Sequence, residues 1–184
     1  QIDYEIRLLI GTLRECSLLD DTIIVFLSDH GDMLFDHDMV AKRLMYDNSA
    51  RIPLIFAGKP VLEYKGKGYE NKLATMSDVM PTLLDMCGIE VPEHVDGFPL
   101  FIYNAREYVY GEVSNGEKAT RMIRDKKYKL IYYPCGNIKQ LFDMENDPHE
   151  THNLSSTVGY ESILSHLESK LISELYDTDL EWIN

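Results

Sequence analysis

Cysteine is scarce in this chain. Three residues in 184, Cys16, Cys87 and Cys135, stand far apart and never as a CxxC pair. That spacing indicates neither a disulfide framework nor a thiolate zinc site. Cys16 and Cys87 fall among apolar residues at helical spacing, so they read as buried free thiols, which leans toward a reducing, cytoplasmic setting. Long apolar runs are missing as well. The longest, around Ile23 to Leu27, is far below the about 20 residues that a membrane span needs. Positive charge is sparse: 18 Lys and Arg against 31 Asp and Glu leave a net charge of −13. Lys65, Lys67 and Lys72 come nearest to a basic cluster, and Glu63 and Glu70 dilute them, so nucleic acid is not an expected partner. A small anionic substrate stays compatible, because one lysine or metal ion dominates a cleft locally. The start, Gln1-Ile-Asp-Tyr-Glu, has neither a basic stretch nor an apolar core of signal-peptide type. It opens without methionine inside a helical pattern, which reads as a piece of a longer protein.

With 45% hydrophobic and 27% charged residues, the composition is that of a globular chain. Ile6, Leu9, Ile10 and Leu13 recur at i, i+3, i+4 and i+7 and predict an amphipathic helix that ends near Leu18-Leu19. Thr22–Leu27 and Ile52–Phe56 are short apolar runs with polar borders, expected as buried strands of a parallel layer. Glu63 to Asn71 reads as a surface loop. Ser77-Asp78 starts a helix with an apolar face of Met80, Leu83, Leu84 and Cys87, stopped by Gly88. Glu107–Val113, Thr120–Arg124 and Lys127–Tyr133 predict an antiparallel sheet with a tight turn at Asp125-Lys126. Leu164, Leu167, Leu171 and Leu175 mark a C-terminal helix. The expected fold class is α/β: sheet and flanking helices over residues 1–103, then a smaller α+β part over residues 104–184 with an antiparallel sheet and the C-terminal helix.

The chemistry gathers in Ser28-Asp29-His30-Gly31-Asp32-Met33, directly after the first strand. Ligands in open α/β sheets bind beyond the carboxyl ends of strands. An ionised Asp beside a neutral imidazole suits a divalent cation, and Gly31 lets backbone approach closely. Taken alone, the same residues better describe a polar turn with Asp29 capping backbone amides and His30 solvated.

The next residues shift that balance. Asp36-His37, Lys42 and Tyr46 follow, and the run S-D-H-G-D-M-L-x-D-H-x-x-x-x-K-x-x-x-Y leads into R-x-P-L-I-F at Arg51–Phe56. With Ser77-Asp78-Val79-Met80-Pro81-Thr82-Leu83-Leu84-Asp85 and the late Leu141-Phe142-Asp143-Met144-Glu145-Asn146-Asp147-Pro148-His149-Glu150 followed by Asn153-Leu154, the order and spacing resemble the sulfatase family of the alkaline phosphatase superfamily, over nearly the whole chain. The resemblance implies that Asp29 and His30 bind a divalent metal, commonly calcium, with magnesium or manganese as alternatives. It implies that Lys42 contacts a sulfate oxygen, as catalytic and substrate-binding residue. His37 is a candidate for substrate or leaving-group contact, with a plain loop histidine as the other reading. Both main roles make physical sense: a metal holds the ester as a Lewis acid, and an ammonium meets the negative charge on the non-bridging oxygens.

Other groups read as structural. Arg51 fits an ion pair. Asp143, Asp147 and Glu150 fit a turn around Pro148, His149 and His152 lie in a polar loop, and the Lys126-Lys127-Lys129 run fits a solvated hairpin edge. The family nucleophile is a formylglycine made in a C/S-x-P-x-R setting, and none of the cysteines or serines here has it. The resemblance therefore implies a small sulfate ester as substrate of a full-length parent, with the formylglycine in an N-terminal half outside this sequence. The piece by itself is expected to be inactive and to bind metal poorly. A phosphonate monoester or phosphodiester hydrolase of the same superfamily, and a non-catalytic α/β interaction module, are the alternatives.

Overall fold

Residues 1–68, 72–102, 106–176 and 179 are described by a computed structural model of the chain. In chain order the main elements are α1 (Ile2–Glu15), β1 (Ile24–Leu27), α2 (Asp47–Ala50), β2 (Leu54–Ala57), α3 (Lys59–Tyr64), α4 (Val79–Met86), β3 (Val109–Val113), β4 (Thr120–Arg124), β5 (Tyr128–Tyr133), β6 (Ile138–Asp143) and α5 (Glu161–Glu174). They fall into two compact units. One comprises Gln1–Asp29, Ile52–Asn71 and Met76–Tyr103, the other His30–Arg51, Lys72–Thr75 and Asn104–Asn184. The boundary expected at residues 103/104 lies outside the described residues. No helix among the described residues is long and apolar enough to cross a membrane.

In the first unit β1 and β2 pair antiparallel, Ile24 opposite Ala57 and Leu27 opposite Leu54. This corrects the expected parallel layer, since a four-residue apolar run carries no information about the direction of its partner. The strands are also less buried than expected, with Ile55 53% exposed. The predicted loop from Glu63 starts later, because α3 runs through Glu63 and Tyr64, and its last residues, 69–71, lie outside the described ones. α4 ends as the Gly88 stop demands: Gly88 has φ +68, its amide donates to the Asp85 carbonyl at 3.0 Å, and the Ile89 amide donates to that of Leu84 at 2.8 Å. These bonds satisfy carbonyls that the helix end would orphan. Its buried face is Asp78, Pro81 and Thr82, whereas Met80 and Cys87 are exposed. Cys16 is exposed too, which corrects the buried-thiol reading of both residues.

The second unit is built on a four-stranded antiparallel sheet in the order β3-β4-β5-β6. Its β4–β5 turn is tied by Asp125, whose Oδ1 accepts the amides of Lys127 and Tyr128 at 2.7 and 2.6 Å. Ile123, Leu130 and Leu141 are register neighbours across three strands and pack on Leu167, Leu171 and Leu175 at α5. Burying each such leucine stabilises by about 1.5–3 kcal/mol. The opposite face carries Met122, Ile131 and Phe142 and is covered by Met33, Met45 and Tyr46. The sheet is therefore packed on both faces, and β4 shows no inside–outside alternation.

Candidate functional site

Asp29 ends the first unit and His30 opens the second, consecutive in the chain just after β1. Asp29 is exposed, and the Ser28 hydroxyl donates to its Oδ1 at 3.4 Å. His30 Nδ1 lies 2.6 Å from the Gly31 carbonyl oxygen, which has no proton to offer. Nδ1 therefore carries the proton, and the lone pair sits on Nε2. Lys42 Nζ donates to that nitrogen at 2.5 Å. An imidazole whose far nitrogen is fixed by a carbonyl has the form in which histidine ligates metals.

The turn of α2 organises this loop. The Tyr46 ring stacks on His37 at a centroid distance of 4.1 Å and 14° between planes. Asn48 Nδ2 donates to Asp36 at 2.5 Å, and the Ser49 carbonyl accepts the Gly31 amide at 2.8 Å. Gly31 is required here, because a Cβ would stand 1.9 Å from the Asn48 carbonyl oxygen. The span between them closes on itself through the Met33 amide and the Ala41 carbonyl, 2.8 Å apart. Within and beside it Leu34, Phe35, His37, Asp38, Ala41 and Arg43 all hold positive φ. Non-glycine residues take such angles at a cost, and they gather where a loop must be held in one shape.

His37, half-buried, donates its Nε2 proton to the His149 carbonyl at 3.1 Å. Lys42 is exposed. His30, Lys42 and His37 thus share one loop of the second unit. Among the described residues no three His, Cys, Asp or Glu side chains form a metal-holding group. Asp29 and His30 fit a divalent cation by donor type, as part of a shell and not a complete one.

One assignment from sequence is overturned. Lys129 is not a solvated hairpin residue: its side chain is 1% exposed. Its ammonium donates to the Met45 carbonyl at 3.0 Å, to Glu150 Oε1 at 2.7 Å and to Asp47. Glu150 Oε2 accepts the Asp47 amide at 2.6 Å, and Arg124 Nη1 grips Asp47 at 2.8 and 2.9 Å. Burial works against the Asp47 carboxylate, yet Lys129 and then Arg124 outweigh it and hold its pKa below 3.8. The available signal was a lysine inside Tyr128–Tyr133, a strand apolar on both sides of it. The expected structural roles of Asp143 and Asp147 hold: Asp143 accepts the amides of Glu145 and Asn146, both at 3.1 Å, and Asp147 accepts that of His152 at 2.8 Å.

The double-faced sheet with α5, and the loop after β1 that joins an imidazole to a lysine, define a sulfatase-type C-terminal domain. The chain belongs to the family of N-sulphoglucosamine sulphohydrolase C-terminal domains, which matches residues 35–177. An arylsulfatase of Clostridium perfringens is 37% identical over 95% of this chain and 38% of its own length. Phosphonate monoester hydrolase of Agrobacterium radiobacter superposes with a TM-score of 0.81 at 26% identity, covering 94% of this chain and 38% of that one. A structure solved with its substrate, D-glucosamine-2-N,6-O-disulfate, superposes with a TM-score of 0.77 at 27% identity, covering 92% and 37%. The chain spans about a third of the length of the curated relatives it matches. Sulfatases generally use a metal ion and a formylglycine.

Proposed function

We propose that the parent protein hydrolyses sulfate esters and that this chain contributes part of the site. The supporting observation is the contact between Lys42 and His30, twelve residues apart, which the sequence resemblance assigns to sulfate and to metal. Asp29 and His30 would hold a divalent cation, calcium before magnesium or manganese, and the cation would polarise the bound ester. The nucleophile would be a formylglycine in an N-terminal half of the same protein. Lys42 offers its ammonium to the non-bridging oxygens, where negative charge must be held during transfer. The lysine is exposed and so open to a ligand. His30, with its proton kept on Nδ1, would offer its Nε2 lone pair to the cation in place of Lys42. His37 would face the leaving group from the same loop. The parent would divide at residues 103/104, with the catalytic α/β part before and the smaller subdomain after. The substrate would be a small sulfate ester, a class supported by the disulfated glucosamine of the similar structure.

Lys42→Ala in the full-length parent tests the assignment. Turnover of an aryl sulfate should fall by about 10²-fold or more, with the melting temperature held. Unchanged turnover would remove Lys42 from the site.

A further inference from the structure

Four consecutive residues at α2 reach four different targets: Tyr46 the His37 ring, Asp47 the buried Lys129 and Arg124, Asn48 Asp36, and Ser49 the Gly31 amide. Three of those targets lie in the loop that carries His30 and Lys42. The fourth, through Asp47, is a charged tie to the sheet, beside the tie made by Tyr46, whose hydroxyl donates to Gln140 at 3.1 Å and whose ring lies against Phe142. The Pro148 turn holds the same anchor twice over. The Glu150 carboxylate takes the Asp47 amide and the Lys129 ammonium, while the preceding His149 carbonyl takes the His37 ring proton. Glu150 itself sits at φ +57 and is 4% exposed. It is therefore held in a costly conformation at a buried point, where an acceptor with two oxygens is needed.

We propose that Glu150, acting through Asp47 and Lys129, is a positioning residue for the loop bearing His30, His37 and Lys42. Its charge keeps residues 45–47 fixed against β5, and α2 transmits that placement to Gly31 and His37. Inside the cluster Lys129 and Arg124 face the carboxylates of Asp47 and Glu150, charge for charge, and the exposed Arg51 is an outer partner 3.9 Å from Asp47. Removing Glu150 alone leaves a buried positive charge. Replacing Glu150 and Lys129 together leaves the net charge unchanged but abolishes the ammonium's ties to Glu150, Asp47 and the Met45 carbonyl. The catalytic part of this inference rests on the sulfatase reading, and the geometric part does not.

The experiment compares Glu150→Gln and the double variant Lys129→Met/Glu150→Gln in the full-length parent. Melting temperature, kcat and KM on an aryl sulfate are measured beside the histidine ring resonances in ¹H–¹⁵N spectra. The double variant should recover the melting temperature that Glu150→Gln loses, yet keep kcat depressed about tenfold or more with KM little changed. Ring resonances of His30 and His37 should move in both variants while His166, on α5, stays. Recovery of kcat together with stability would overturn the proposal. If the wild-type parent turns over no sulfate ester, the functional reading fails by itself and the rings decide this one: unmoved His30 and His37 signals would overturn it, and moved signals with a fixed His166 would support it.

Discussion

Lys42 and His30 are joined through one nitrogen: the Lys42 ammonium donates to Nε2 of His30 at 2.5 Å, while Nδ1 is held by the Gly31 carbonyl at 2.6 Å. A cation bound at Nε2 would compete with Lys42 for the same lone pair. A metal at Nε2 would thereby free the lysine toward an anion.

That loop depends on Gly31. Its missing Cβ leaves room for the Asn48 carbonyl, which would otherwise stand at 1.9 Å. Because the obstacle is backbone, Gly31→Ala must push residues 30–32 away from α2. The expected cost is about 1–3 kcal/mol, read as a lower denaturation midpoint, with turnover of the parent lost along with it. A Gly31→Ala protein of wild-type stability and activity would contradict the close approach.

Positive φ makes a prediction of the opposite sign at Ala41, which holds φ +65 and lies exposed. Ala41→Gly removes a Cβ from a conformation that disfavours it, at the expense of a freer unfolded chain. The net is a stabilisation of up to about 1 kcal/mol, measured in urea titrations. Destabilisation of that size would show the left-handed backbone to be unstrained.

Much of this was legible before any coordinates. The leucines of α5, the β4–β5 turn at Asp125 and the Gly88 stop follow from periodicity and turn chemistry that are local in the chain. What was not legible is long-range. The direction of β2 against β1 depends on a return of the chain that the two apolar runs do not encode. The association of residues 30–51 with the C-terminal sheet rests on Met33, Met45 and Tyr46 filling its second face. Lys129 looked solvated because its three partners come from residues 45, 47 and 150. β6 carries no separate signal, because its last three residues, 141–143, belong to the late Asp-Pro segment.

The core face of the sheet should respond more strongly than any surface change. Leu167 is 1% exposed and packs on the row formed by Ile123, Leu130 and Leu141. Leu167→Ala should cost about 2–5 kcal/mol, whereas Ile172→Ala, on the exposed side of α5, should change stability by no more than about 0.5 kcal/mol. Equal effects would mean that α5 packs by another face.

Acid should weaken the second unit through three aspartates. Asp47, Asp143 and Asp147 each titrate below their ordinary 3.8 in the folded chain. Burial opposes all three. At Asp47 Lys129 and Arg124 prevail, at Asp143 the Asn146 side chain and amides, and at Asp147 the amides of Thr151 and His152. A lowered folded pKa contributes stability that is present above the unfolded value and lost as pH falls through the folded one. Stability should therefore hold down to about pH 4 and decline below it, and Asp147→Asn should flatten that decline. A stability that rises between pH 4 and 2 would reverse the sign of the account.

The most direct test of the central claim is turnover by the full-length parent of a chromogenic aryl sulfate, set beside the matching phosphonate monoester and phosphodiester. The account predicts a clear preference for the sulfate, abolished by Lys42→Ala. A preference for either phosphorus ester would contradict it and assign the same loop to the phosphonate hydrolase branch.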